Sequence, residues 1–433
     1  MRITRRSFLG AAAPAFVSNL ISAPRYSTLR LASFGAAGMA FRTLDGIATH
    51  PKVTLACVAE VDSARLAQVQ KKYPKAKVYP DWRRMLDERH KELDIACIGT
   101  PDHMHAPTAM SSMEFGLHVY VQKPLTHDIH EARRLAAMAH KKKLVTQMGI
   151  QRHSSTEYLT ATPLIQSGVI GKIKEVHAWS EKKWGDPDPM PDRSDPVPPT
   201  LAWDLWLGVA ETRPYLEGYY HPANWRKRID FGTATFGDMG CHILDPVFGA
   251  LKLAAPISVR SEGAAPNGES WALDTVIHYV FPGTDVTENK TVPITWYDGD
   301  ARPPQEVQAL LGNRKLPGQG SVFIGTKGVM LLPHIGMPVL LPEEQFNGFV
   351  MPVHETVNHY HQFVEAVMGN GKTTTSFDYS GPLTEAVLLG PLSTRFPKTT
   401  LNWNSAKLQF ANSAEANQYV RTKYRNGWKV KGL

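Results

Sequence analysis

The first third of the chain alternates short apolar runs with stretches of helical spacing. The order strand, helix, strand repeats, which predicts a doubly wound βαβαβαβ unit around a parallel sheet. We place this unit at residues 28–150. Its predicted strands are residues 29–34, 53–59, 77–79, 94–99, 117–121 and 144–148.

The rest of the chain predicts a second domain of mixed α and β structure. Helical spacing marks residues 156–166 and 354–368, and a proline-rich stretch at 185–200 predicts a loop. We assign residues 151–400 to this domain and residues 401–433 to a C-terminal arm that lies back across the protein. Strand-like segments are residues 171–179, 276–281, 290–296 and 320–332.

The first 25 residues have the pattern of an export signal. Arg5 and Arg6 precede Phe8 and Leu9, and a small-residue apolar run follows. Twin arginines before such a run are typical of the Tat route, and the alternative is a plain amphipathic helix. We expect residues 1–25 to be a Tat-type signal peptide, and the protein to be periplasmic or otherwise exported.

Composition excludes some classes of protein. The chain has 433 residues, 42% of them hydrophobic and 20% charged, which suits two globular domains. Beyond the leader no apolar run approaches ~20 residues, so no membrane span is predicted. The net charge of +8 is spread over predicted helix surfaces without a binding motif, so no nucleic-acid partner is expected.

The three cysteines are predicted to be buried thiols. Cys57 and Cys97 fall in the second and fourth strands, which a 3-2-1-4 strand order separates by roughly 9–10 Å. That separation exceeds the ~7 Å limit between the Cα atoms of a disulfide. Cys241 brings the number of cysteines to three, which is odd.

A glycine-containing loop follows the first predicted strand. It departs from G-x-G-x-x-G at its second and third glycine positions, but it stands between a strand and a helix N-terminus, where a pyrophosphate binds. Glu60, after the second strand, can accept both ribose hydroxyls of NAD and repels the extra phosphate of NADP. We expect NAD, with NADP as the alternative because Arg65 is near. The loop residues are Gly35, Ala36, Ala37, Gly38 and Met39.

Polar side chains also follow the later strands, at the sheet edge where ligands bind in open α/β folds. Thr100, Pro101 and His105 follow the fourth strand, and Gln122 and Lys123 follow the fifth. A lysine between a buried strand and a proline favours function over a plain surface position. We assign all five residues to cofactor binding.

The segment 236–245 carries the candidate chemistry. On one helix Asp238, His242 and Asp245 share a face. A carboxylate beside an imidazole forms a general acid/base pair. The alternatives are part of a metal site and a structural hydrogen bond. We assign no metal.

Together these motifs resemble the Gfo/Idh/MocA oxidoreductases. The matching features are the degenerate glycine loop, Thr100-Pro101 with His105, the Gln122–Leu125 segment, and Asp238 with His242. The resemblance implies an α/β Rossmann domain followed by an α+β domain with a large, mostly antiparallel open sheet, which often mediates homo-oligomers. It also implies that Lys123, Asp238 and His242 surround the reacting hydroxyl. Gln122 replaces the family's glutamate, so the charge state of Lys123 is not carried over.

An aromatic-rich stretch precedes the Asp238 segment. Flat rings pack on the C–H faces of sugars while polar neighbours bind hydroxyls. For Trp203 and Trp206 we prefer a core position. The candidate substrate-binding residues are Gln151, Tyr220, His221, Trp225 and Arg226. For the last four, a structural role in packing is an equal alternative to substrate binding.

Three functions remain open. The first is an exported NAD-dependent oxidoreductase that acts on a secondary hydroxyl of a sugar, polyol or glycoside, with hydride transferred to tightly held cofactor. The second is a redox-neutral, NAD-dependent glycoside-cleaving enzyme, in which transient oxidation at C3 permits elimination. The third is a non-catalytic sugar-binding relative, against which the intact Lys123, Asp238 and His242 argue.

Overall fold

A computed structural model describes residues 27–433. The predicted Tat signal peptide, residues 1–25, lies outside the described residues. Within them, none of the helices combines the length and apolar character that crossing a membrane requires.

The first domain is a six-stranded, all-parallel sheet with helices on both faces. Its strands are almost entirely buried, as expected of parallel strands covered on two sides. The strand order is β3-β2-β1-β4-β5-β6, which confirms the predicted doubly wound unit. The strands are β1 Leu29–Phe34, β2 Val53–Ala59, β3 Lys77–Tyr79, β4 Ile95–Ile98, β5 His118–Gln122 and β6 Thr146–Gly149. The helices are α1 Met39–Ala48, α2 Ala67–Lys72, α3 Trp82–Arg89, α4 His105–Glu114 and α5 Ile129–Lys142.

The second domain is built on a nine-stranded sheet. Only β7 and β10 pair in parallel, so the sheet is mostly antiparallel, as the resemblance implies. Its order is β13-β12-β11-β7-β10-β9-β8-β14-β15. The strands are β7 Ile173–Ser180, β8 Ser258–Glu262, β9 Val276–Pro282, β10 Thr291–Asp298, β11 Gln319–Gly325, β12 Val329–Pro333, β13 Val339–Leu341, β14 Leu401–Asn404 and β15 Gln409–Phe410.

Helices cover this sheet and join it to the first domain. They are α6 Thr156–Gln166, α7 Trp203–Leu207, α8 Ala234–Ile243, α9 Asp245–Ala250, α10 Gln305–Ala309, α11 His359–Val367 and α12 Phe377–Ser393. Short 3-10 turns are Ser63–Arg65, His90–Glu92, Asp102–Met104, Gln151–Ser154, Asn224–Lys227, Glu343–Phe346 and Ala416–Tyr419.

Two sequence expectations differ from the structure. The strand predicted at 320–332 is a hairpin, β11 and β12, because the chain turns between Gly325 and Val329. The helix predicted at 354–368 begins only at His359, where the Asn358 side chain accepts N–H bonds from Tyr360 and His361 and caps it.

The residues predicted as an arm first enter the large sheet as β14 and β15. Later residues then reach the first domain: the Tyr424 hydroxyl donates to Glu131 of α5, and Trp428 packs with Met104 and Val209. Cys57, Cys97 and Cys241 are free and buried, which confirms the prediction for the thiols.

Candidate active site

A cavity of about 740 Å³ lies between the carboxyl ends of the parallel strands and helix α8. Ligands bind at this edge in doubly wound folds. The glycine loop, Glu60 and the residues after β4 and β5 line the part formed by the first domain. Helix α8, the residues after β7 and the segment 221–226 line the opposite part.

The glycine loop leaves the N-terminus of α1 open to the cavity. Gly35 has a φ of +101°, and a Cβ there would lie 2.8 Å from that of Ala40, so this turn requires glycine. Gly38 caps α1 with a φ of 59°, no side chain of the described residues caps the helix, and a Cβ at Gly38 would meet open space. The first N–H groups of α1 therefore fit the pyrophosphate of a dinucleotide.

Glu60 is fixed at the end of β2. Its carboxylate accepts N–H bonds from Ala36 at 2.9 Å and Asp62 at 3.0 Å. Burial raises the pKa of Glu60, and the two backbone bonds act in the opposite direction. Each oxygen retains a lone pair for a ribose hydroxyl, so Glu60 fits the predicted contact with NAD.

His105 lies between the segments that follow β4 and β5. Its Nδ1 lies 2.7 Å from the Pro124 carbonyl oxygen and its Nε2 lies 2.9 Å from that of Thr100. Burial lowers the pKa of His105 to about 4. A neutral ring has a single N–H, so His105 donates a hydrogen bond to one of these carbonyl oxygens and lies close to the other.

Asp238 and Lys123 form an ion pair between the two domains. Lys123 Nζ donates to Asp238 Oδ1 at 2.6 Å and to the Asp238 carbonyl oxygen at 2.7 Å. Helix α8 holds Asp238 in place because its Phe236 stacks on Trp296 of β10, with ring centroids 4.6 Å apart. The pair therefore joins the end of the parallel sheet to the large sheet.

Asp238 has further partners. Arg226 Nε lies 3.2 Å from Oδ1, while Trp184 Nε1 at 2.9 Å and Lys182 Nζ at 3.3 Å contact Oδ2. Burial acts to raise the pKa of Asp238, but the charges of Lys123, Arg226 and Lys182 outweigh it and hold the pKa well below its usual range. Asp238 is therefore an anion throughout the neutral range.

His242 lies in the same cavity but is not oriented by Asp238. The Asp238 oxygens are engaged by the groups above, and His242 Nδ1 has no hydrogen-bond partner among residues 27–433. Burial first, and then the positive charge of Lys123, lower the pKa of His242 well below 6.5. The ring is therefore neutral at pH 7 and can accept a proton.

Asp245 does not share the face of Asp238 and His242, which corrects the expectation of one continuous helix. Helix α8 ends at Ile243, and Asp245 begins α9. Its carboxylate binds His153 Nδ1 at 2.9 Å and the Tyr379 hydroxyl at 2.6 Å. Asp245 therefore belongs to a buried cluster outside the cavity wall.

Most of the predicted site residues meet at the cavity. The residues that line it are Gly35, Ala37, Gly38, Met39, Glu60, Thr100, Pro101, His105, Gln122, Lys123, His221, Trp225, Arg226, Asp238 and His242. His221 belongs to the second domain, and its Nε2 lies 3.0 Å from Asp62 Oδ2 of the first domain.

Three predicted residues do not line the cavity. Ala36 is fully buried and contributes its N–H to Glu60. Tyr220 is packed in an aromatic cluster with Trp206 and Phe231. The Gln151 amide donates to the Tyr120 hydroxyl at 3.2 Å. Trp206, for which a core position was preferred, belongs to that cluster and also borders the cavity.

Sequence reasoning missed several residues of the cavity wall, and four of them bear on its chemistry. Lys182 and Trp184 follow β7, which lies in the mostly antiparallel sheet, so the rule for strand ends in open α/β sheets does not select them. Asp102 follows the predicted Thr100-Pro101 pair; burial raises its pKa to about 6, opposed by a hydrogen bond from Thr233. His334 follows β12 without any local signal. Its ring centroid is 5.7 Å from that of His242.

Metal ligands do not cluster here. Among residues 27–433 no group of three or more His, Cys, Asp or Glu side chains is arranged to hold a metal ion.

The comparisons with known proteins agree with this architecture. Residues 29–150 match an oxidoreductase family with an NAD-binding Rossmann fold, and residues 165–282 match the C-terminal alpha/beta domain of that family. Together the matches cover more than half of the chain, so the class is that of NAD-binding oxidoreductases. The chain belongs to the Gfo/Idh/MocA family.

The similar proteins include sugar enzymes. The dTDP-3,4-didehydro-2,6-dideoxy-alpha-D-glucose 3-reductase of Streptomyces antibioticus is 30% identical over 151 residues, 35% of this chain and 45% of that protein. Levoglucosan dehydrogenase of Pseudarthrobacter phenanthrenivorans is 22% identical over 188 residues, 43% of this chain and 40% of that protein. Both matches span less than half of the relative.

Solved structures share the fold over most of the chain. The WlbA dehydrogenase from Bordetella pertussis, in complex with NADH and UDP-GlcNAcA, aligns with a TM-score of 0.61. The alignment covers 87% of this chain and 99% of that protein at 14% identity. At this identity the likeness extends to the fold alone.

Proposed function

We propose that the protein is an NAD-dependent oxidoreductase that acts on a secondary hydroxyl of a sugar, polyol or glycoside. The observation that carries the proposal is one cavity in which Lys123, Asp238 and His242 face a dinucleotide-binding loop. When bound, the nicotinamide supplies the hydride acceptor. The protein has to bind the carbinol, remove its proton and stabilise the oxygen.

We assign proton removal to His242. Its neutral ring accepts the hydroxyl proton while the carbinol hydrogen leaves as hydride, so the alcohol becomes a ketone. The Lys123 ammonium, fixed by Asp238, has a third hydrogen to donate to the developing alkoxide. Asp238 positions Lys123 and stays ionised throughout.

Glu60 supports NAD rather than NADP as the cofactor. Its position at the end of β2 suits two ribose hydroxyls, and its charge opposes a phosphate there. Arg65 also lines the cavity. Comparing initial rates with NAD⁺ and NADP⁺ tests the preference, and a higher kcat/KM with NADP⁺ contradicts it.

The activity is tested by incubating the purified protein with a panel of sugars, polyols and methyl glycosides while NADH absorbance is followed. We expect reduction with at least one carbohydrate and loss of that signal in Lys123→Met. Absence of reduction across the panel, with cofactor shown to be bound, contradicts a net dehydrogenase.

His334 favours a second candidate, redox-neutral glycoside cleavage. Burial lowers its pKa to about 4, and its Nδ1 lies 3.0 Å from the Tyr158 hydroxyl, so a second neutral imidazole adjoins His242. Oxidation at C3 acidifies the C2–H, and a second base can remove that proton while the C1 substituent leaves. Aglycone release from a chromogenic glycoside without net NADH formation distinguishes cleavage from dehydrogenation.

We also propose that the protein is exported and carries its cofactor with it. The twin arginines within residues 1–25 support export by the Tat route. That route carries proteins that fold, often with their cofactor bound, before export. An exported enzyme has little free NAD to draw on, so the cofactor has to be retained. Denatured extract of the mature protein should contain nicotinamide, and extract without it contradicts retention.

The large sheet is proposed to mediate a homo-oligomer. Burial alternates along β9, where Ile277, Tyr279 and Phe281 are buried and His278 is exposed, so part of one sheet face is open to solvent. Light scattering of the purified protein measures the mass, and a monomer at micromolar concentration contradicts this.

A further inference from the structure

The substrate side of the cavity carries more positive charge than its own carboxylates balance. Lys123, Lys182 and Arg226 converge on the single charge of Asp238. Asp102 is the other carboxylate on this side, and its pKa of about 6 leaves it partly protonated near neutral pH. Three cations therefore face at most two anions.

The distances separate the three cations into two kinds. Each Asp238 oxygen has one short donor, Lys123 at 2.6 Å and Trp184 at 2.9 Å. Each also has one longer, cationic donor, Arg226 at 3.2 Å and Lys182 at 3.3 Å. Asp238 is satisfied by its short donors, so the charges of Lys182 and Arg226 are in excess.

Arg226 is held in a fixed orientation. Its guanidinium lies 4.3 Å from the ring centroid of Trp225 and 5.4 Å from that of Trp184. Besides Nε, it donates only a long bond of 3.4 Å from Nη1 to the Ala223 carbonyl, and among residues 27–433 its Nη2 has no partner. A guanidinium presents paired donors that match a carboxylate, sulfate or phosphate.

Lys182 contacts the other oxygen of Asp238 and is more exposed than Lys123. Its side chain is 41% exposed, against 12% for Lys123. Both Lys182 and Arg226 come from the second domain and line the cavity. Both contact Asp238, which the proposed function places beside the reacting hydroxyl, so we assign them to the substrate rather than to the pyrophosphate.

We propose that Lys182 and Arg226 bind an anionic substituent of the substrate, so that the substrate is an acidic carbohydrate such as a uronic acid. One carboxylate shared by three partly enclosed cations leaves positive charge unbalanced, and an incoming anion balances it. The inference rests on the proposed function for the identity of the substrate as a carbohydrate. A sulfate or phosphate ester has the same chemistry.

The test compares matched sugars and matched lysine variants. Methyl glucuronide and methyl glucoside differ only at C6, which is a carboxylate in the first and a hydroxymethyl group in the second. Glucose 6-sulfate and glucose 6-phosphate test the other anions. Lys182→Met removes the cavity charge. Lys183→Met is the control. It is the same substitution one residue away, but Lys183 pairs with the exposed Asp300 at 2.6 Å.

We expect kcat/KM to be higher for the acid than for its neutral partner. Lys182→Met should lower the value for the acid by about tenfold to hundredfold, the range for a hydrogen bond to a charged group. The value for the neutral sugar should fall less than the value for the acid, so the ratio of the two should decrease, and Lys183→Met should leave that ratio unchanged. Equal or better turnover of neutral sugars by the wild-type protein overturns the inference and leaves the proposed function standing.

Binding is measured separately from turnover. Trp184 and Trp225 line the cavity, so tryptophan fluorescence reports glucuronate and glucose binding to the cofactor-loaded protein. Tighter binding of glucuronate that depends on Lys182 supports the anion site. This holds even if no sugar reduces the cofactor, an outcome that contradicts the proposed function alone. Equal binding of both sugars overturns the inference.

Discussion

His242 shows how far the properties of one residue depend on its surroundings. The sequence places it four residues after Asp238 and predicts a carboxylate-oriented imidazole. In the structure the carboxylate binds lysine, arginine and tryptophan instead, and His242 is kept neutral by burial and by Lys123. The residue type could be predicted from the sequence, but the partners of Asp238 could not, because Lys123 and Lys182 come from distant segments.

His242→Ala should slow turnover by roughly 10²–10⁴ if His242 is the base. The lowered pKa means that the neutral form is present above the folded-state value, so the acidic limb of kcat/KM should lie below pH 6.5. A pH–rate profile of both proteins checks this. Unchanged turnover in the variant moves the role to another group, and His334→Ala is the next variant to measure.

Asp238→Asn should destabilise the protein by about 3–5 kcal/mol, because it leaves enclosed cations without their counter-charge. The folded pKa of Asp238 is depressed, so its contribution is complete above the unfolded value of about 4 and is lost as pH falls below it. Urea unfolding at pH 7 and pH 3 measures both effects.

Asp300→Asn is the matched control for Asp238→Asn. Asp300 also pairs with a lysine, Lys183, but the pair is exposed to solvent. We expect little change in urea midpoint. A loss of stability in Asp300→Asn as large as that in Asp238→Asn contradicts the role given to enclosure.

The elements themselves were largely predictable from the sequence. The strands β1, β2 and β3 match their predicted bounds because apolar runs between loops determine them. The break between α8 and α9 could not be predicted, because Pro246 lies where a proline can begin a helix as well as interrupt one. The β11–β12 hairpin was also missed, because one apolar stretch contains both strands.

Among these elements, β4 and α1 pack closely at Gly99. It directly follows β4 and packs against the start of α1, and a Cβ there would lie 2.7 Å from Ala40 Cα. Gly99→Ala should therefore cost about 1–3 kcal/mol by overpacking and should weaken NADH binding. Thermal unfolding and NADH titration measure the two effects.

Gly381→Ala is the control for Gly99→Ala. Gly381 lies inside α12, and a Cβ there would meet Ala136 at an ordinary 3.8 Å. We expect a change within about 0.5 kcal/mol, because the higher helix propensity of alanine is offset by crowding between the new Cβ and Pro382. A similar loss of stability in both variants contradicts the assigned clash.

In the whole molecule the second domain is packed into the first. Phe363 and Val364 of α11 share a core with Leu44 and Ile47 of α1, and Gly46 leaves room for the ring of Tyr360. The two-domain division followed from the sequence, but this shared core did not, because nothing local marks which face of α11 meets another domain.

Trp428→Ala should destabilise the protein by about 3–5 kcal/mol, the usual cost of removing a buried tryptophan. The ring packs with Met104 and Val209, and the Arg83 guanidinium lies 4.1 Å from its centroid. Because Met104 lines the cavity, NADH binding should weaken as well. Phe349→Ala, at an exposed ring, should stay within about 0.5 kcal/mol, and equal losses contradict the packing role.

The position of Trp428 has a consequence for biosynthesis. Domains generally fold as units during translation, the earlier one first. Here the wall that contains Met104 receives its last packing partner only when a residue some three hundred positions later has left the ribosome. A nascent chain that ends before Trp428 can form the parallel sheet, yet we expect it to capture the dinucleotide poorly until synthesis has passed that point.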